Sequence, residues 1–167
     1  DDIDQPGQSV KPLLGAWPVF RALASQSGAE EGPTMALLTG RLAVIHNNLI
    51  PEVEKMAHGE KPVVQTVRSL PGFSRVSIGH GNLTGIFTAL LASGCIRTLT
   101  ATRSLLGEGW DAPVINSLVL CSFVGSFMLT NQMRGRAIRV NKLCPEKVSS
   151  IWHLVAVDTG TPSGLTD

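Results

Sequence analysis

Residues 98–139, TLTATRSLLGEGWDAPVINSLVLCSFVGSFMLTNQMRGRAIR, order the rest of the chain. The stretch begins with a short β-like run, crosses a Gly-rich turn bearing Asp111, continues into an apolar strand and ends in the arginine-dense NQMRGRAIR. In the turn, Gly107 and Gly109 let the backbone approach a ligand closely, and Asp111 supplies an acceptor suited to a hydroxyl such as a ribose group. Asp before Ala-Pro is also an ordinary turn residue, and for the loop taken alone that is the plainer role. The arginine segment says more. Gln132, Arg136 and Arg139 fall at i, i+4 and i+7, so a helix presents all three on one face while Met133, Ala137 and Ile138 turn elsewhere. Two guanidinium groups without a carboxylate nearby in sequence repel one another, an arrangement that fits a polyanion such as a triphosphate, whose oxygens match the forked donors. The alternative is pairing with a distant carboxylate, for which Glu30, Glu31, Glu108 and Glu146 are the candidates.

Outward from this stretch the chain alternates. Residues 1–34 contain much of the Pro, Gly, Ser and acid that punctuate loops, around one apolar piece, PLLGAWPVFRALA, suited to a small docked helix; they are read as a linker or lead-in segment. From Met35, MALLTGRLAVIH holds two apolar runs broken at Thr39, Gly40 and Arg41, and LAVIH has the continuous apolar character of a strand buried on both faces. Asn47 or Asn48 then caps a helix that ends near Gly59. PVVQTVRSL reads as a strand, PGFSRVSIGHGN as turns around a short extended piece, and LTGIFTALLASG as a helix stopped by Gly94. CIRTLTA and VINSLVLCSF follow as strands, VGSFMLTNQMRGRAIR as a helix, SIWHLVAVD as a last strand and residues 159–167 as a tail. Strands and helices in this order predict an α/β fold, a three-layer sandwich of a mostly parallel sheet with helices on both faces, spanning residues 35–158.

Composition bounds the function. A chain of 167 residues, 43% hydrophobic and 16% charged, fits one globular domain with a substantial core. The net charge of +1 announces neither a nucleic acid nor a membrane by bulk electrostatics, so any basic surface is local; Arg97, Arg103, Arg134, Arg136, Arg139 and Lys142 cluster along the chain. Cys95, Cys121 and Cys144 are odd in number and widely spaced, which suggests neither a disulfide framework nor a zinc site and points to a reducing cytoplasm. His46, His58, His80 and His153 lack metal spacing, so no metal site is expected. Ala112–Gln132 carries no charge and approaches the length of a membrane span, but its scattered Ser and Asn, Pro113 and Gly125 split it into a strand and a helix, and no membrane partner is expected. The N-terminal DDIDQPGQSV has neither a basic nor an apolar leader pattern.

TATRSLLGEGWDAPVINSLVL followed by NQMRGRAIR resembles motifs V and VI of superfamily 2 helicases, of the DEAD/DEAH type and close to the restriction-enzyme branch. ALLTGRLAVIH resembles the strand bearing motif IV. The resemblance covers roughly residues 35–158 and implies the C-terminal RecA-like domain of an ATP-dependent helicase or translocase, of the P-loop NTPase type without its own phosphate loop. It implies that Arg136 and Arg139 are arginine fingers on the ATP γ-phosphate, that Gln132 approaches the nucleotide, and that Gly109 and Asp111 face its ribose side. It further implies that Thr102 lies near a nucleic-acid backbone, while Arg103 stands where many relatives carry an acidic residue.

The chain holds no GxxxxGK[ST] phosphate loop and no Asp-Glu-x-His or Asp-Glu-Ala-Asp sequence. The resemblance places those parts, and most of the contacts to ATP and Mg2+, in an N-terminal RecA-like domain of the same polypeptide, so this chain alone is expected to be inactive. The expected partners are that domain and a nucleic acid, DNA ahead of RNA. The competing expectation, from a different functional class, is a non-catalytic nucleic-acid-binding or interaction module that kept the helicase fold in degenerate form.

Overall fold

The computed structural model describes residues 15–27, 34–79, 82–105, 110–121 and 127–155. Backbone contacts divide the chain into two compact units, Asp1–Ala112 and Pro113–Asp167.

The first unit is built on a five-stranded sheet in the order β3-β4-β2-β1-β5. Its strands are β1 (Met35–Leu38), β2 (Ala43–His46), β3 (Val63–Thr66), β4 (Phe73–Ser77) and β5 (Thr98–Ala101). The mostly parallel RecA-like sandwich expected from the sequence is overturned here. β1–β2, β2–β4 and β3–β4 pair antiparallel, and only β1–β5 runs parallel. The reason lies in the links. Thr39–Leu42 and Val67–Gly72 are too short to hold the dozen or so residues that a parallel crossover requires, so each folds its two strands into a hairpin. In the first, the Thr39 side chain accepts from Leu42 N at 2.9 Å while Thr39 N donates to Leu42 O at 2.7 Å. In the second, Val67 N donates to Phe73 O at 3.0 Å around the Pro71-Gly72 turn, where Gly72 takes φ +87°.

Three helices belong to this unit. In α1 (Ala16–Gln26), Ala16, Trp17, Phe20 and Ala24 recur at helical spacing and pack as one stripe against Met35, Leu37, Val44, Val67, Leu70 and Phe73. Phe20 is wholly buried and meets Phe73 edge-on, ring centroids 5.5 Å apart. Residues of the other parity on the same strands, Ala36, Leu38 and Ile45, are equally buried, so β1 and β2 are covered on both faces. A single 3-10 turn, Asn47–Leu49, leads into α2 (Ile50–Met56), with Pro51 in its first turn. Neither asparagine caps α2: His46 caps the 3-10 turn, with Asn48 N donating to His46 Nδ1 at 3.3 Å, and α2 itself starts after Leu49 with no side-chain cap. The third helix, α3 (Leu83–Ala92), begins at Asn82, whose side chain accepts from Gly85 N at 3.0 Å, and stops at Gly94 with φ +77°. Val53 of α2 and Ile86, Phe87, Leu90 and Leu91 of α3 supply the remaining large buried groups of the helices.

The second unit keeps the parallel connection. β6 (Ser117–Leu120), α4 (Phe127–Ala137) and β7 (Ser150–His153) form a strand-helix-strand unit in which β6 and β7 pair parallel, Leu118 opposite Ile151 and Leu120 opposite His153. α4 packs on both strands and buries Met133 and Ala137, one turn apart. No helix among the described residues is long and apolar enough to cross a membrane.

Candidate functional site

The residues expected to contact nucleotide or nucleic acid are distributed over both units, and each set has its own geometry. In the first unit, Thr102 follows directly on β5, partly exposed, with its hydroxyl 3.5 Å from that of Ser104. Gly109 lies outside the described residues. Asp111 sits between two anchored neighbours: Trp110 is 7% exposed and Ala112 is 2% exposed, while Asp111 itself is exposed. The burial of both neighbours leaves the Asp111 side chain at the surface. Asp111 lines an open groove of about 640 Å³ together with Asn82, Thr84, Thr88, Leu105 and Trp110.

The anchor of that segment is the Trp110 indole, whose Nε1 donates to Thr88 Oγ1 at 2.7 Å; the Thr88 hydroxyl donates onward to Thr84 O at 2.6 Å. The chain of donors runs from the loop into α3, so the helix sets the position of Asp111. Thr88 carries no signal in the sequence that marks it for this role. A threonine within a helix ordinarily returns its hydroxyl to the preceding turn, which it does here as well.

In the second unit, Gln132 is exposed and Arg136 half-buried on α4, four residues apart on one face, as their spacing requires. Arg139 departs from expectation. The helix ends at Ala137, so a continuous helical face does not carry Arg139; it lies on a tighter turn just beyond, with Arg139 N donating to Arg136 O at 3.4 Å. Ile138 is exposed rather than packed.

The end of α4 has no left-handed glycine cap. Positive φ among described non-glycine residues occurs only at His58, and the glycine of the last turn, Gly135, lies inside the helix. Side chains from farther along the chain take the place of the cap. Lys147 Nζ donates to Ala137 O at 2.9 Å, to Ile115 O at 2.9 Å and to Pro113 O at 2.7 Å, and Ser149 Oγ donates to Ala137 O at 2.6 Å. An ammonium at a helix C-terminus also meets the negative end of the helix dipole. Neither Lys147 nor Ser149 is recognisable from the sequence, since their partners are backbone carbonyls remote along the chain.

Charge is uneven in this unit. Residues 113–155 carry five cations, Arg134, Arg136, Arg139, Lys142 and Lys147, against one carboxylate, Glu146. Lys147 is engaged by three backbone carbonyls, and the charged side chains of the segment are otherwise mostly cationic. Among the described residues no group of three or more His, Cys, Asp or Glu side chains is placed to hold a metal ion. Compared with protein-family models, with curated proteins and with solved structures, the chain finds no match in any of the three.

Proposed function

We propose that this chain supplies the arginine-bearing part of an ATP-driven nucleic-acid helicase or translocase. The observation that carries the reading is the β6-α4-β7 unit: a parallel strand-helix-strand in which one helix and the turn after it hold Gln132, Arg136 and Arg139 within a segment whose charged residues are cationic but for Glu146. The motif order resembling superfamily 2 helicases supports the same reading. In this proposal ATP and Mg2+ are bound mainly by a second, phosphate-loop-bearing domain of the same polypeptide. Arg136 and Arg139 approach the γ-phosphate, where fixed guanidinium groups stabilise the charge that develops during phosphoryl transfer. Gln132 orients the nucleotide, Asp111 and Gly109 serve the ribose side, and Thr102 touches the nucleic-acid backbone, preferentially of DNA.

A second reading has its own support. The mixed, mainly antiparallel sheet of the first unit is not the sheet of such a motor, and it favours a non-catalytic nucleic-acid-binding or interaction module. ATP turnover by the intact polypeptide, measured with and without DNA or RNA, separates the two. Stimulated turnover is expected of the motor; nucleic-acid binding with no turnover belongs to the module.

A further inference from the structure

We infer that Lys147 is a positioning residue for the arginine segment: by joining the three pieces of the β6-α4-β7 unit through backbone carbonyls, it holds the last turn of α4, and with it Arg136 and Arg139, in one conformation. Three observations converge on this. Lys147 Nζ reaches Pro113 and Ile115 before β6 and Ala137 at the end of α4, at 2.7–2.9 Å, which matches the three donors of an ammonium to three acceptors. The helix end it serves lacks a glycine cap and contains Gly135, which weakens the final turn by its backbone freedom. Ser149, two residues on, donates to the same Ala137 carbonyl and leads directly into β7. An uncapped, glycine-bearing turn frays unless side chains secure its carbonyls. Arg136 lies one residue before Ala137 and Arg139 two residues after it, so fraying at Ala137 displaces both.

Lysine suits the task better than arginine. Its tetrahedral ammonium points three donors toward carbonyls in different directions, whereas a planar guanidinium directs its donors within one plane. Its charge is spent on the fold, and it therefore contributes little to anion binding.

The kinetic part of this inference rests on the proposed ATP-hydrolysing function; the holding part does not. The test uses the intact polypeptide carrying Lys147→Met, which keeps the stem and removes the donors, and Lys147→Arg, which keeps the charge. Amide hydrogen exchange is followed over residues 134–139 without nucleotide. In Lys147→Met exchange there is expected to rise on the order of tenfold, with α3 unchanged, and Lys147→Arg is expected to recover part of the protection. Turnover is expected to show kcat reduced about tenfold with KM for ATP nearly unchanged, because a loosened arginine fails in the transition state rather than in ground-state binding. Unchanged exchange over residues 134–139 overturns the inference. Raised exchange with unchanged kcat overturns the positioning of the arginines. Raised exchange in a polypeptide whose wild type shows no turnover supports the holding role and sinks the motor reading instead. Should Lys147→Met fail to fold, Ser149→Ala, which removes one donor to Ala137, is expected to show the same exchange pattern at smaller amplitude, and its absence there counts against the inference equally.

Discussion

The Trp110 indole N–H lies 2.7 Å from the Thr88 hydroxyl, and this pair couples the segment carrying Asp111 to the middle of α3. Trp110 is 7% exposed, so most of the indole is out of water where its N–H meets the Thr88 hydroxyl. Thr88→Val, which keeps the shape and deletes the hydroxyl, is expected to destabilise the first unit by about 1–3 kcal/mol. Equilibrium urea unfolding followed by tryptophan fluorescence checks this, and a change within error of zero contradicts the anchoring role.

Two glycines with positive φ should respond differently to a methyl group. Gly94 takes φ +77° with open space around the site, so Gly94→Ala carries only the backbone cost, about 1 kcal/mol. Gly72 takes φ +87°, and a Cβ there lies 3.1 Å from His46 Nε2. Gly72→Ala is expected to cost about 2 kcal/mol or more, the backbone term plus displacement of the ring that caps the 3-10 turn before α2. Comparing the two denaturation midpoints tests the order; equal losses would mean that His46 yields freely.

His46 also gives the first unit a pH dependence. Burial holds its imidazole below the usual value because desolvation penalises the charged ring, and Nδ1 must stay deprotonated to accept from Asn48 N. The ring packs edge-on against Phe73, centroids 5.2 Å apart. The unfolded chain therefore takes up a proton at higher pH than the folded one. The stabilising contribution is complete above about pH 6.5, the unfolded value, and is lost progressively as pH falls through the lowered folded value. Urea midpoints of wild type and His46→Gln, measured from pH 8 to pH 5, are expected to converge as the pH drops; a constant difference would contradict the assignment.

Local structure was legible in the sequence to a large extent. Asn82 and Gly94 bound α3 where the capping rules put them, and the breaks at Thr39–Arg41 and Pro71–Gly72 fall between strands. Within the lead-in segment, PLLGAWPVFRALA contains the helix that brings Phe20 into the core. What misled was connectivity. Alternation of strands with helices fails where β1 meets β2 and β3 meets β4 with no helix between, and links of that length dictate antiparallel pairing. The runs β2-α2-β3 and β4-α3-β5 join strands that are not neighbours in the sheet, whereas β6 and β7, on either side of α4, pair directly and in parallel. At the candidate site, the shared face of Gln132 and Arg136 follows from their spacing. The end of α4 does not, because it is fixed by Lys147 and Ser149, whose carbonyl partners leave no mark on residue type.

The role given to the arginines is tested most directly by ATP turnover of the intact polypeptide in the presence of DNA, comparing wild type with Arg139→Ala while ATP binding is measured separately. The expected result is nucleic-acid-stimulated turnover that falls by about 10³-fold in the variant with ATP still bound, as removal of an arginine finger requires. Turnover that persists at the wild-type rate in Arg139→Ala, or a wild type that binds nucleic acid and hydrolyses nothing, would contradict it.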